Sequence, residues 1–276
     1  MYNVKIITDY AQWDRFVEAS PQGTLFSSTR WCDLYDSSYT IYGCYNGDEL
    51  VGGIIGWGDD TYFFSGRPLT PFQGVIVKET PDMKYQTKMA LHNKIGDALA
   101  QFFAQGMCTI SNHWSYPDIR PFLWGGWRVY ASYTYVVDMT TNSLENLEKM
   151  TRYEVNHTNG ECRDCGYSEF YDMYKQTFTR KKLDVPITEG FIKGIFNTLK
   201  PVALTNGESC VVFIEDNKRA YYILGASLGG NSSGLLWQGL NMFEEVDMVG
   251  CNVREIGLFK RGFGGRLTPY YEVSNV

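Results

Sequence analysis

Apolar residues recur along the chain in two alternating rhythms, one at every second position and one at every third or fourth, with Gly, Asn, Asp and Pro marking the changes. The first rhythm predicts strands and the second predicts amphipathic helices. A strand is expected over residues 4–8, then a helix over 10–19 with Trp13, Phe16 and Val17 on one face. A short helix is predicted over 29–37. Strands over 40–45 and 50–57 flank Asn46-Gly47-Asp48, a hairpin signal. Residues 62–65 and 74–77 continue the sheet, a long helix covers about 82–105, and a strand follows over 107–111. The strand at 129–138, with Tyr133, Tyr135 and Val137 alternating, closes the first half.

The second half repeats the theme in different residues. Helices are predicted over 144–156, 168–179 and 188–198. A three-strand meander over 202–205, 210–215 and 220–227 turns at Asn206-Gly207 and Asp216-Asn217. After Gly229-Gly230-Asn231-Ser232-Ser233 comes a helix over 235–246 that the serines are placed to cap. The pattern predicts an α/β (α+β) chain whose two halves meet near residues 139–143.

At 276 residues the chain is long enough for two domains with real cores. Its hydrophobic content of 44% excludes a disordered composition, and a formal net charge of -6 argues against a protein that coats nucleic acid. No apolar run approaches the roughly 20 residues of a membrane span, and the opening residues lack the apolar core of a signal peptide, so a cytoplasmic protein is expected. Seven cysteines without a regular framework fit a reducing compartment. Cys162 and Cys165 make the only C-x-x-C pair, and with no second pair beside it no metal site is expected.

Near the carboxyl end, Phe259-Lys260-Arg261-Gly262-Phe263-Gly264-Gly265-Arg266-Leu267-Thr268-Pro269-Tyr270-Tyr271 sets cations among glycines, on backbone able to approach an anionic ligand closely. Gly23-Thr24-Leu25-Phe26-Ser27-Ser28 with Trp31, Pro71-Phe72-Gln73-Gly74-Val75, Asp118-Ile119-Arg120-Pro121-Phe122, Trp124-Gly125-Gly126-Trp127 and the strand Tyr133 to Asp138 precede it. Arg152, the strand Ala220 to Ser227 and Asp247-Met248-Val249-Gly250 complete the series. In this order, over nearly the whole chain, these phrases resemble the Fem-type (FemABX-like) aminoacyl and acyl transferases of the GNAT superfamily.

That resemblance implies two tandem GNAT-like lobes with mixed sheets around a shared cleft. The first would cover residues 1–139, with the last strand, about 267–276, returning to it; the second would cover 140–266. A heptad-patterned helical hairpin of the kind some members insert for tRNA contact is absent. The implied activity is transfer of an acyl or aminoacyl group, from acyl-CoA or aminoacyl-tRNA as co-substrate, to an amine of a peptidoglycan, cell-envelope or polysaccharide precursor. No tightly bound cofactor is implied.

In the family the Lys of the Phe-Lys phrase faces the reacting centre, which makes Lys260 a candidate to neutralise developing negative charge or bind phosphate. Tyr222 is a candidate hydrogen-bond donor. Alternation allows only one of Tyr221 and Tyr222 into a site. Phe259 would pack beside the donor, and Arg261 would hold phosphate. His113 stands where many Fem proteins carry an Asp-Pro pair, so it is a candidate base, and Asp118 and Arg120 belong to a family phrase but can also form an ion pair. Tyr35 replaces the Lys that bridge-forming enzymes place four residues after the early Trp, and Arg67 is a substitute cation for the acceptor. Gly230, Ser232 and Ser233 are the counterpart of the CoA pyrophosphate turn, without its Arg or Gln. The competing class is a GNAT-like module without catalysis that binds an anionic sugar nucleotide or a protein partner. A basic track past Lys181, Lys182 and Arg261 would favour tRNA.

Overall fold

The computed structural model describes residues 2–158, 162–229 and 231–276, and the chain divides into two units. Unit 1 is Met1–Ser132 with Pro269–Val276, and unit 2 is Tyr133–Thr268. The first unit runs β1 (Tyr2–Ile6), α1 (Tyr10–Ala19), α2 (Thr29–Cys32), β2 (Tyr39–Asn46), β3 (Glu49–Gly58), β4 (Tyr62–Phe64), β5 (Ile76–Val77), α3 (Tyr85–Phe102), β6 (Met107–Ser111) and α4 (Arg120–Trp124). The strand β7 (Arg128–Asp138) carries the chain into unit 2, where it continues as α5 (Lys149–Asn156), β8 (Arg163–Asp164), α6 (Tyr167–Lys181), α7 (Glu189–Leu199), β9 (Val202–Thr205), β10 (Ser209–Glu215), β11 (Ala220–Ser227), α8 (Ser233–Leu240), β12 (Glu245–Asp247) and α9 (Arg254–Arg261). The closing strand, β13 (Arg266–Ser274), returns to unit 1.

In unit 1 the strand order is β1-β2-β3-β4-β6-β13. Among the described residues of unit 1, only β4 and β6 are parallel, and the connection that parallel strands require carries α3. The unit 2 order is β7-β12-β11-β10-β9-β8, where β11 and β12 are the parallel pair and α8 lies in their connection. Each unit thus repeats one motif: an antiparallel meander, a helical crossover, and a parallel strand.

Local sequence explains these elements. Asp9 caps α1 by accepting from the Gln12 amide, and Trp13 and Val17, four apart, bury one face of it. With Ile7, Ile41, Ile55 and Trp57 they form the core on one side of the unit 1 sheet. On the other side Ile95, Leu99 and Phe103 meet Tyr42, Ile54, Phe63 and Ile110. A Cβ at Gly52 would lie 2.7 Å from an Ile95 methyl, so the bare strand position is what lets α3 settle on β3. In unit 2, Val211, Phe213, Leu235, Leu236, Leu240 and Val246 form the core beneath α8.

Three departures from the expected elements bear on function. The helix expected over 235–246 ends at Leu240, beyond which the Met242 and Phe243 amides turn back to the Gly239 and Leu240 carbonyls in tight i→i−3 bonds. Val246, read as helical, is instead fully buried in β12. The Phe259-Lys260-Arg261 phrase, read as backbone able to approach an anionic ligand, is the last turn of α9, with Gly262 as its C-cap. Arg120 begins α4, with Pro121 near its start, where a missing N–H costs nothing. Among the described residues no helix is long and apolar enough to cross a membrane.

Candidate functional site

In unit 2 the parallel strands β11 and β12 pair at Ala220↔Val246 and Tyr221↔Asp247 and then part. A bulge sets Phe213 opposite Tyr222 and Val212 opposite Leu224, leaving Ile223 as the extra residue. It puts Tyr222 and Gly225 on the same face of β11. The Tyr222 hydroxyl lies over Gly225, where a Cβ would come within 2.2 Å of the oxygen. Tyr221 points the other way: it is fully buried and donates to Asp216. Tyr222 is half-buried, and its hydroxyl has no hydrogen-bond partner among the described residues. Burial pushes its phenol pKa up, so it stays protonated at neutral pH and acts as a donor.

Lys260 enters the same fork from the last turn of α9. Only 8% of it is exposed. Its ammonium donates to the carbonyls of Met248 (2.5 Å), Val249 and Gly250 (2.8 Å), the segment into which β12 runs, and sits 5.6 Å from the centroid of the Tyr222 ring. Val249 and Gly250 are both left-handed, with φ of 48° and 57°. For a β-branched valine that conformation costs on the order of 1–3 kcal/mol. Asp247 offsets part of it by accepting from the Val249 amide at 2.8 Å and from the Thr134 hydroxyl at 2.6 Å, while Lys260 gathers the converging carbonyls. Burial lowers the Lys260 pKa to about 8, with Asp247 and then Cys251 pulling it back up.

This geometry corrects one expectation. All three N–H donors of the ammonium are committed to backbone carbonyls, so Lys260 has none left for a phosphate. What it offers at the fork is a fixed positive field and a rigid turn. Phe259 packs edge-on against Phe263 at the rim of the core. Arg261, proposed for phosphate, pairs with Glu148, its Nε 2.5 Å from Oε1, which ties α9 to the residue before α5.

The glycine- and serine-rich turn before α8 is likewise different from its expected role. Gly230 lies outside the described residues. Ser232 makes no side-chain cap. Ser233 is buried and donates to the Glu154 carboxylate at 2.6 Å. Asn231 donates to the Glu154 carbonyl and accepts from the Ser233 amide. A Cβ at Gly234 would lie 2.0 Å from the Thr158 hydroxyl. A carboxylate from α5 thus already stands at the helix end that would attract an anion. Neither Glu154 nor Thr158 was visible as a site residue, since their role depends on α5 packing against α8.

In unit 1 the structure brings Tyr35 and Arg67 together. The Arg67 guanidinium lies 5.3 Å from the Tyr35 ring, 4.6 Å from Trp57 and 5.4 Å from Phe64. Its Nε is buried and makes no hydrogen bond among the described residues. Tyr35 is fixed by donating to the Pro68 carbonyl and by contact with Thr70, which also accepts from the Trp31 indole. Burial lifts the Tyr35 pKa to about 12. Trp57 and Phe64 escaped the sequence reading because they alternate like any core strand residue.

His113 is 2% exposed and wedged between Phe72 and Trp114, and its Nδ1 accepts from the Ser115 amide. That is a buried position walled by aromatic rings. Asp118 and Arg120 form a bidentate pair at 2.7 and 2.6 Å that holds the Asp118 carboxyl below its ordinary pKa. They line an open depression of about 750 Å³ with Tyr85, Asn93 and Tyr271.

No protein-family model and no curated protein matches the sequence. Solved structures do match. FemX superposes with a TM-score of 0.68 at 12% identity, over 99% of this chain and 97% of its own. A GNAT-family acetyltransferase from Colwellia psychrerythraea gives 0.54 at 9% identity, over 99% and 98%. A tandem GNAT protein from the clavulanic acid biosynthesis pathway gives 0.53 at 8%, over 99% and 98%. The chain has the Fem-like tandem GNAT fold that its phrases led us to expect.

Proposed function

We propose that the protein is a GNAT-like N-acyltransferase that moves an acyl or aminoacyl group from an activated donor to an amine of a cell-envelope or polysaccharide precursor. The fold likeness to FemX supports the class. The observation that carries the reading is the Tyr222 phenol, without a hydrogen-bond partner among the described residues, beside the Lys260 cation at the point where two parallel strands part.

In this reading the reacting carbonyl of the donor lies in the fork against the edge of β11. A neutral amine attacks it, negative charge grows on the carbonyl oxygen, the C–O or C–S bond to the leaving group breaks, and the leaving group takes the proton that the amine gives up. Tyr222 supplies the hydrogen bond to the oxyanion or the leaving group. Lys260 supplies positive potential without moving, which is the preorganised form of stabilisation. In unit 1, the Arg67 cage is the proposed hold for an anionic group of the acceptor, with Tyr35 as one wall.

Glu154 favours an aminoacyl ester over a CoA thioester as donor, because a pyrophosphate at the start of α8 would meet a fixed carboxylate. A second reading, a module that binds without transferring, has one observation in its favour: the Lys260 donors are fully occupied. Melting curves with a non-hydrolysable aminoacyl-adenosine and with an acyl-CoA separate these cases. An upward shift with the adenosine derivative alone, followed by transfer of label from the corresponding ester, supports the proposal. A shift without any transfer favours the second reading, and no shift with either compound removes both donor classes.

A further inference from the structure

The chemistry above leaves one buried nucleophilic pair unused. Cys165 follows β8 and Cys210 is the second residue of β10, 45 residues apart in sequence, and their sulfurs lie 3.2 Å apart. Cys165 is 5% exposed and Cys210 is 1% exposed. The pairing that brings them together is fixed by the sheet. The Cys165 amide donates to the Ala203 carbonyl, and Cys210 stands opposite Thr205, so both thiols bracket the small side chains of β9.

We propose that Cys165 and Cys210 are a redox modification site, closing to an intramolecular disulfide under a hydroperoxide and reopening under a dithiol. In the first step the Cys210 thiolate attacks one peroxide oxygen, the O–O bond breaks, and Cys210 becomes a sulfenic acid while the other oxygen leaves as water after taking up a proton. In the second, the Cys165 sulfur attacks the sulfenic sulfur, and its thiol proton leaves with the hydroxyl as a second water. Two thiols lose two electrons and one peroxide gains them. Either sulfur can donate to the other across this contact, and the donated S–H stabilises its partner as the thiolate, so the two steps run equally with the roles of Cys210 and Cys165 exchanged.

The position gives the bond a consequence. Cys165 immediately precedes the Gly166 cap of α6, and Thr177 of α6 holds the end of β11 by accepting from the Ser227 amide and donating to its carbonyl. The cross-link therefore fixes the helix that anchors the far end of β11 to the middle of the sheet.

The test is peptide mapping of the full-length protein under non-reducing conditions, after exposure of the native fold to stoichiometric hydrogen peroxide and quenching of free thiols by alkylation. The expected result is loss of two alkylatable thiols per chain and a single linked peptide joining Cys165 to Cys210. It should come with a rise in melting temperature of roughly 5 °C or more that dithiothreitol reverses. Cys165→Ser should abolish the linked peptide and the thermal shift together, whereas Cys44→Ser should leave both. Because mapping of the unmodified sequence reads the bond directly, the outcome stands even if a variant misfolds. Unchanged thiols, a link through Cys162, bonds between chains, or sulfinic acid at either position would overturn the proposal.

Discussion

Replacing Lys260 by Met removes a buried cation while keeping an unbranched stem, and its effect on stability should depend on pH in a way worked from the structure. The unfolded lysine titrates near pH 10.4, and the folded one near 8, lowered by burial. Between those values the unfolded chain holds a proton that the folded chain has released, so the stability of the native sequence rises with pH. The slope is at most about 1.4 kcal/mol per pH unit, which integrates to about 2 kcal/mol between pH 7 and 9.5. Lys260→Met lacks this contribution. Urea titrations of both proteins should therefore show the native midpoint gaining on that of the variant as pH rises, by about 1 M for an m-value of about 2 kcal/mol/M. At pH 7 the variant also leaves the carbonyls of Met248, Val249 and Gly250 without their donor. A difference between the two proteins that stays constant from pH 7 to 9.5, or that moves against the native chain, would refute a buried Lys260 with a lowered pKa.

Other substitutions probe the same framework. Gly225→Ala places a methyl group 2.2 Å from the Tyr222 oxygen; because the hydroxyl is the movable end of its side chain, thermal stability should change by no more than about 1 kcal/mol while transfer activity falls as it does when the phenol is removed. Glu154→Gln takes the negative charge from the start of α8 and should raise affinity for CoA at least tenfold by calorimetry, a gain that a carboxylate without influence on anions would not give. Arg67→Ala should weaken binding of a nucleotide-linked acceptor by roughly 10–100-fold, equivalent to about 1.4–2.8 kcal/mol, with the fold intact by circular dichroism.

Much of the architecture was legible because it is written in local signals. The α1 helix has its Asp9 cap and its Trp13–Val17 face, and the β2–β3 hairpin has Gly47 at φ 64°. Strands β9 and β11 stand at the bounds that the pattern predicted, although the bulge at Ile223 interrupts the alternation of β11. What escaped is set by tertiary partners. Val246 looks helical by spacing, yet two neighbouring strands claim it. Glycines 262, 264 and 265 read as backbone open to a ligand, whereas Gly262 is the C-cap of α9. Residue identities at the site were also easier to read than residue roles. Lys260 and Tyr222 were named from their phrases, Tyr35 and Arg67 from the place of a lysine that this chain lacks, and each pair is brought together. Ser233 and Arg261 were named by the same reasoning, but Glu154 and Glu148 hold them, and no spacing rule connects carboxylates 79 and 113 positions away.

The central claim is that acyl transfer takes place at the β11–β12 fork with the Tyr222 phenol as donor. The most direct measurement is single-turnover transfer of a labelled aminoacyl group from its ester donor to an amine acceptor, comparing the native protein with Tyr222→Phe. The account predicts measurable transfer by the native protein and a rate lower by about 10²-fold in the variant, with donor affinity little changed. Equal rates in the two proteins would contradict the role of the phenol, and no transfer by the native protein from any aminoacyl or acyl donor would contradict the claim itself.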